Sequence, residues 1–394
     1  MHASAILRRC LPSVLGEMHA ARERRLLQAV EALVQGRRLT LTDLARSWPG
    51  ATWVHAPLKA LDRLLSNQHL QHAVSALHQA MAAWLIRQPQ PVLLVDWADL
   101  KEDGRWCVLR AAVPMGGRAL TLYERIYPRA RMGQPQAQQE FVRALWQFLP
   151  RTVKPILVTD AGFRSDWYRA VRAVDWHFIG RLRNNTSVCS AKRPHWQPCR
   201  DLHALATAKP RDLGLHRLVK GNPMHGRLVL ARRDRRGREQ YTRHGTPQQG
   251  AQARKSRKAA REPWLLVTSL ERTAYTTPQI VGAYAKRMQI EEAFRDLKSH
   301  QYGMGLEDSL TRSAPRLSIL LLLHALATFA AWLMGMAADT ELAAPDPLAR
   351  QPLHRARYSR IRRGLAWLRQ SVVPPEIARR LNAASFRAIV AGVV

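Results

Sequence analysis

The sequence predicts an α/β fold with helical regions at both ends, and three observations lead there. From Pro91 the apolar pattern takes the period of strands, and from Ala137 strands and helices alternate. Before Pro91 and beyond Met336 the periodicity is helical. Between these regions Leu317–Met336 carries no formal charge, the composition of a helix buried on every side or of one crossing a bilayer. The polar residues His324, Ser318 and Thr328 within it, and the basic sequence on both sides, favour burial.

Taken in order, residues 1–85 read as a helical domain. A basic amphipathic stretch covers Ala21–Leu33. Leu41, Leu44 and Ala45 then space a short helix that Thr42 is placed to cap. Pro49–Gly50 breaks it, and Pro57–Leu65 forms a second helix with Leu58, Leu61, Leu64 and Leu65 inward. Two short helices across a tight break resemble a helix-turn-helix, whose second helix would offer Lys59 and Arg63 to DNA. A plain helical hairpin fits the same pattern.

Residues 86–184 hold three β-runs, Pro91–Trp97, Trp106–Val113 and Ala119–Ile126, separated by the turn sequences KEDGR and PMGGR. A helix at Ala137–Leu149, a strand at Pro155–Asp160, a helix near Ser165–Val174 and a strand at Trp176–Arg181 follow. That is the order of a ribonuclease-H-like (RNase-H-like) core, in which the first and fourth strands lie side by side. Asp96 and Asp160 end two of the runs and would converge. A carboxylate at the end of a buried strand is costly unless it is paired or binds a cation.

Residues 185–275 read as a β-rich basic insertion, with strands at Leu213–Val219, Gly226–Ala231 and Trp264–Ser269. Between Arg227 and Arg261 twelve Lys and Arg face only Asp234 and Glu239, the composition of a solvated loop or of a phosphate-contacting one. Residues 276–336 return to the core. Residues 337–394 read as a basic helical C-terminal region with an apolar stripe of Tyr358, Ile361, Leu365 and Leu368.

Composition narrows the partners. Lys and Arg number 62 against 29 Asp and Glu, a net charge of +33 that points to a polyanion, and so to nucleic acid. Twelve Trp and eight Tyr add stacking surfaces, although large aromatics are commonly core. The cysteines Cys10, Cys107, Cys189 and Cys199 form no CxxC pair. The gap from Cys189 to Cys199, with His195 between, is not zinc-finger spacing, so reduced thiols are expected. The start of the chain, interrupted by Arg8, Arg9 and Pro12, does not read as a signal peptide.

The stretch Tyr284–Lys298 has neither Gly nor Pro and reads as one helix. At about 100° per residue, Tyr284, Arg287, Glu291 and Lys298 fall within an arc of about 60°, beside an apolar stripe of Ala283, Ile290, Phe294 and Leu297. Glu292 and Asp296 point elsewhere. Alone, this is an ordinary amphipathic helix. With Asp96 and Asp160 it suggests a three-carboxylate cage for a divalent metal.

The spacing Tyr284, two residues, Arg287, three residues, Glu291, six residues, Lys298 reproduces the Y-(2)-R-(3)-E-(6)-K signature of the bacterial insertion-sequence DDE transposases of the IS-four family. The stretches LLVDWADL, VTDAGF, EPWLLVT and YAKRMQIEEAFRDLKSHQYGMGLE resemble its Tn-ten-type branch, and the similarity runs from about Leu39 to about Leu368. The resemblance implies a helical DNA-binding N-terminus, an RNase-H-like core interrupted by a β-rich insertion, and a C-terminal region used in pairing.

It further implies that Asp96, Asp160 and Glu291 are the catalytic triad and hold two Mg²⁺ ions, with Mn²⁺ able to substitute. Tyr284, Arg287 and Lys298 would grip DNA phosphates, and Trp264 would stack on a base flipped out at the transposon end. Such enzymes bind terminal inverted repeats, cut through a hairpin and join the freed end to target DNA, as a dimer in the synaptic complex. They act on the nucleoid in the bacterial cytoplasm. Two ions about 4 Å apart supply the charge stabilisation that phosphodiester transfer needs. An RNase-H-like nuclease or resolvase, or an inactive DNA-binding relic, is the alternative reading.

Overall fold

The computed structural model describes residues 2–184, 186–190, 193–232, 246, 248–251, 262–339, 359–370, 373–382 and 386–387. The protein is mixed α/β and divides into two compact units. The first comprises 1–153 and 288–394, the second 154–287. Most of the basic stretch between Arg227 and Arg261, and Tyr358 of the C-terminal stripe, lie outside the described residues.

The first unit opens with six helices: α1 (Ala3–Cys10), α2 (Pro12–Gly16), α3 (Ala20–Gly36), α4 (Leu41–Arg46), α5 (His55–Leu65) and α6 (Gln68–Leu85). Thr40, not Thr42, caps α4, its hydroxyl accepting from the Asp43 N–H at 3.1 Å. In the expected second helix Leu58 is only half-buried, and Pro57 takes its place among the inward residues.

Three antiparallel strands follow in the order β3-β2-β1: β1 (Val92–Asp99), β2 (Trp106–Pro114) and β3 (Ala119–Pro128). The turn between β2 and β3 passes through Gly116 and Gly117 at φ 67° and 93°, where a Cβ would be strained. β1 runs past the apolar stretch to Asp99, so Asp96 sits inside the strand and not at its end. The register places Asp96 opposite Arg110, and Arg110 opposite Glu124, so the three side chains share one face. α7 (Pro135–Phe148) completes the first stretch of this unit.

The second unit contains β4 (Ile156–Val158), α8 (Ser165–Ala173), β5 (His177–Leu182), β6 (Ser187–Ser190), β7 (Arg193–Pro198), β8 (Arg211–Leu218), β9 (Met224–Ala231), β10 (Trp264–Thr268) and α9 (Thr277–Ala285). Its strands lie in the order β4-β5-β10-β9-β8-β6-β7, with β4 parallel to β5 and the other pairs antiparallel. Between α9 and the next helix the chain passes back to the first unit.

The expected single helix over 284–298 is therefore two. α9 ends at Ala285 and α10 spans Met288–Lys298. At the break the N–H groups of Lys286 and Arg287 reach back only three residues, to the carbonyls of Ala283 and Tyr284, at 3.2 and 3.0 Å. That tightened turn interrupts the continuous stripe.

α10 packs Ile290, Ala293, Phe294 and Leu297 against the three strands of the first unit. α11 (Ala314–Asp339) is the one described helix long and apolar enough to cross a membrane, and it is buried within the first unit. α1, α3, α5, α6 and β3 surround it, with α12 (Arg360–Leu368) and α13 (Pro375–Asn382). Glycine sets the contact with α12: a Cβ on Gly364 would stand 1.7 Å from the Ala331 carbonyl oxygen, and one on Gly335 2.2 Å from that of Arg360. His324 of α11 and His78 of α6 are buried beside the Arg110–Glu124 pair. Their ring nitrogens have no hydrogen-bond partner among the described residues.

Candidate active site

The first unit brings Asp96 and Glu291 to the same place. Both line an open cleft of about 790 Å³, together with Lys298 and Arg295 of α10. Burial of the apolar face of α10 leaves Glu291 and Lys298 half-exposed along that cleft. Glu291 lies in the first turn of its helix, where the dipole favours a carboxylate. The Asp96 carboxylate is oriented by the following residue, the Trp97 N–H donating to Oδ1 at 2.9 Å. Behind it Arg110, fully buried, pairs with Glu124 at 2.7 Å and stacks 4.7 Å from the Phe294 ring centre.

The neighbouring acids are engaged elsewhere. Glu292 lies 2.8 Å from Arg295 and 3.7 Å from Arg118, and Asp296 2.5 Å from Arg118. Asp99 is ion-paired with Arg129 while remaining half-exposed.

The second unit gathers the other half of the candidate residues. Asp160 lies two residues beyond β4, and its Oδ1 accepts from the Gly162 N–H at 2.8 Å. A Cβ at Gly162 would stand 3.1 Å from that oxygen. Tyr284, expected on a polar stripe, is only 3% exposed. Its ring meets Trp264 edge-on at 4.8 Å, and the Arg287 guanidinium lies 6.0 Å from the ring centre.

Burial raises the Tyr284 phenol above its ordinary pKa; Arg287 and Arg181 oppose the rise and Asp160 adds to it. The phenol, two guanidiniums and the aspartate are thus one electrostatic cluster. Burial lowers Arg181 in turn, against the pull of Tyr284 and Glu262. Glu262 itself is held by Arg183 at 2.7 Å.

Lys59 and Arg63 are exposed on α5 and line a hollow of about 490 Å³ with Arg22 and Arg25 of α3. Nothing local in the sequence marks those two arginines, which the pairing of α3 with α5 brings in. Arg295 also lines the cleft, and its spacing four residues beyond Glu291, on the same side of the helix, is the signal that could have found it. Arg110 and Arg181 were unmarked because only strand register and the position of α9 give them their neighbours.

A divalent cation of the hard class takes carboxylate oxygens. Asp96 and Glu291, in a cleft also lined by Asp99 and Glu307 and flanked by Lys298 for an anionic substrate, fit such an ion. Among the described residues no three His, Cys, Asp or Glu side chains converge as one cluster.

Residues 132–329 match the protein family described as the transposase DDE domain. No curated protein matches the chain.

Proposed function

We propose, from the premise that the chain belongs to the family of transposase DDE domains, that it is a cut-and-paste DNA transposase of the IS-four family and its Tn-ten-type branch. The observation that carries this is the shared cleft of Asp96, Glu291 and Lys298. The Y-(2)-R-(3)-E-(6)-K spacing supports the finer family reading, and the order of strands and helices supports an RNase-H-like core with a β-rich insertion.

In this reading Asp96, Asp160 and Glu291 hold divalent cations, Mg²⁺ or Mn²⁺. Bound there, such ions neutralise charge on the phosphate under attack and favour ionisation of the attacking water or 3′-hydroxyl. The protein's own groups set the geometry. Arg110 at the back of the sheet face gives the Asp96 carboxylate a fixed cationic neighbour. Lys298 and Arg287 bind phosphates flanking the scissile bond, and the buried Tyr284 ring fixes where the Arg287 guanidinium lies. Trp264 stacks on a base displaced at the transposon end and so accommodates a hairpin. Lys59 and Arg63, with Arg22 and Arg25, bind the terminal inverted repeat, and the ends pair in a dimer on DNA. The place of action is the bacterial nucleoid.

The test is a supercoiled plasmid carrying the inverted repeats that flank the gene, incubated with protein and Mg²⁺. Nicks at the repeat boundary, hairpin ends and strand-transfer products are expected. Cleavage without strand transfer would make the protein a nuclease, and end binding without cleavage a relic.

A further inference from the structure

We infer that a second cavity, which shares Arg295 with the cleft of Asp96 and Glu291, is a binding site for a phosphate group. It lies wholly within the first unit and has a volume of about 350 Å³, within the usual range of ligand pockets. Five arginines line it: Arg37 at the end of α3, Arg118 before β3, Arg295 of α10, Arg362 of α12 and Arg369 just beyond it. Two carboxylates, Glu292 and Asp296, face them.

The carboxylates are already engaged with Arg118 and Arg295. Among the lining residues the cations outnumber the anions by three. Burial first, and then Arg37, push the Arg369 guanidinium down to about 10. Arg369 keeps its proton and is anchored by its Nε, which donates to the Val34 carbonyl at 2.7 Å, so its remaining N–H groups are the ones left for an anion in the cavity.

Backbone conformation supplies a second, independent observation. Arg37 caps α3 in the left-handed region at φ 60°, ψ 22°. Glycine is the default there, and a residue that carries a Cβ is disfavoured. The strain is compatible with a side chain kept for what it reaches, and what it reaches is this cavity. A carboxylate ligand would leave most of the excess charge uncompensated. A phosphate, with several oxygens and up to two charges, takes guanidinium forks from more than one arginine at once. Its source is either a backbone phosphate of DNA or a free phosphate compound.

The experiment uses the full chain with Arg37→Gly, Arg369→Gln and, as a control for net charge, Arg24→Gln on the exposed side of α3. Inorganic pyrophosphate binding is measured by calorimetry, and binding of a duplex of unrelated sequence at several salt concentrations. A free-phosphate site predicts saturable pyrophosphate binding that weakens at least about tenfold in Arg37→Gly and Arg369→Gln and not in Arg24→Gln. A DNA-backbone site predicts instead that the slope of log K against log salt falls by about 0.9 in each cavity variant, one phosphate contact apiece, and is unchanged in Arg24→Gln.

Arg37→Gly relieves the left-handed strain, so without ligand it should melt no lower than the wild type. A lower melting temperature would make Arg37 a structural residue and overturn the site. So would cavity variants that match wild type in both binding measurements, or that are matched by Arg24→Gln.

Discussion

Lowering the pH should destabilise the first unit through His324, by an amount that can be worked out. The imidazole is fully buried in α11, and burial, followed by the nearby Arg110 charge, pulls its pKa from 6.5 to about 3. The folded value is below the unfolded one. Below about pH 6.5 the unfolded chain therefore binds a proton that the native chain refuses, and stability falls as pH drops from about 6.5 toward 3. At pH 5 the deficit relative to pH 7 is about 2 kcal/mol for this residue alone. His78, lowered by burial on the same cluster with Glu124 opposing, acts in the same direction.

Carboxylates also titrate over this range, so the quantity to measure is a difference. His324→Leu removes the proton site and two buried nitrogens without partners, and should fold at pH 7. Between pH 7 and pH 5 it should gain about 2 kcal/mol on the wild type. With an m-value near 3 kcal/mol/M, that is a relative shift of about 0.7 M in the urea midpoint. Far-ultraviolet circular dichroism at the two pH values is sufficient. Parallel acid sensitivity in the wild type and the variant would refute the argument.

Three other outcomes are expected. Glu291→Gln should depress nicking at least about a thousandfold more than Glu292→Gln, about 4 kcal/mol of barrier, with end binding retained in gel shifts; equal losses would remove the distinction between the two acids. Asp96→Ala should be inactive with Mg²⁺ or Mn²⁺. Asp99→Ala breaks only a half-exposed pair with Arg129, so it should cost under about 1 kcal/mol of stability in a thermal melt and still nick. Trp264→Ala should nick normally on end DNA yet form hairpins about ten- to a hundredfold more slowly, the loss of one base stack. A folded Trp264→Ala protein that makes hairpins at the normal rate on a denaturing gel would end the stacking assignment.

The strands were legible because their apolar runs are bounded by turn residues. β1, β2 and β3 lie within about two residues of their expected ends, and the burial of α11 followed from its composition and polar interruptions. What escaped depends on partners distant in sequence. Lys286 and Arg287 are good helix formers, so nothing local marks the break between α9 and α10. Tyr284 looked polar-facing because a phenol at helical spacing has no label for burial; its place against Trp264 comes from β10. The edge hairpin of β6 and β7 was missed, since Ser187–Ser190 and Arg193–Pro198 lack a clean alternation. The row Asp96, Arg110, Glu124 exists only in strand register, and no helical or strand periodicity could have exposed it.

The surroundings of α11 bear on how such a protein can change its DNA specificity. Helices α1, α3, α5 and α6 bury this apolar rod on the N-terminal side, while β3 and α12 cover it elsewhere. Excising residues 1–85 would expose a hydrophobic column, not leave a tidy stump. A chimaera that exchanges them for another recognition region must therefore supply a matching apolar lining or aggregate. In the proposed reading, retargeting is accordingly easier by point changes on the outward side of α5, at Lys59 and Arg63, than by module exchange. In the proposed reading recognition and catalysis would be mechanically linked, because the helix that packs against the N-terminal helices also packs against β3 of the sheet that carries Asp96.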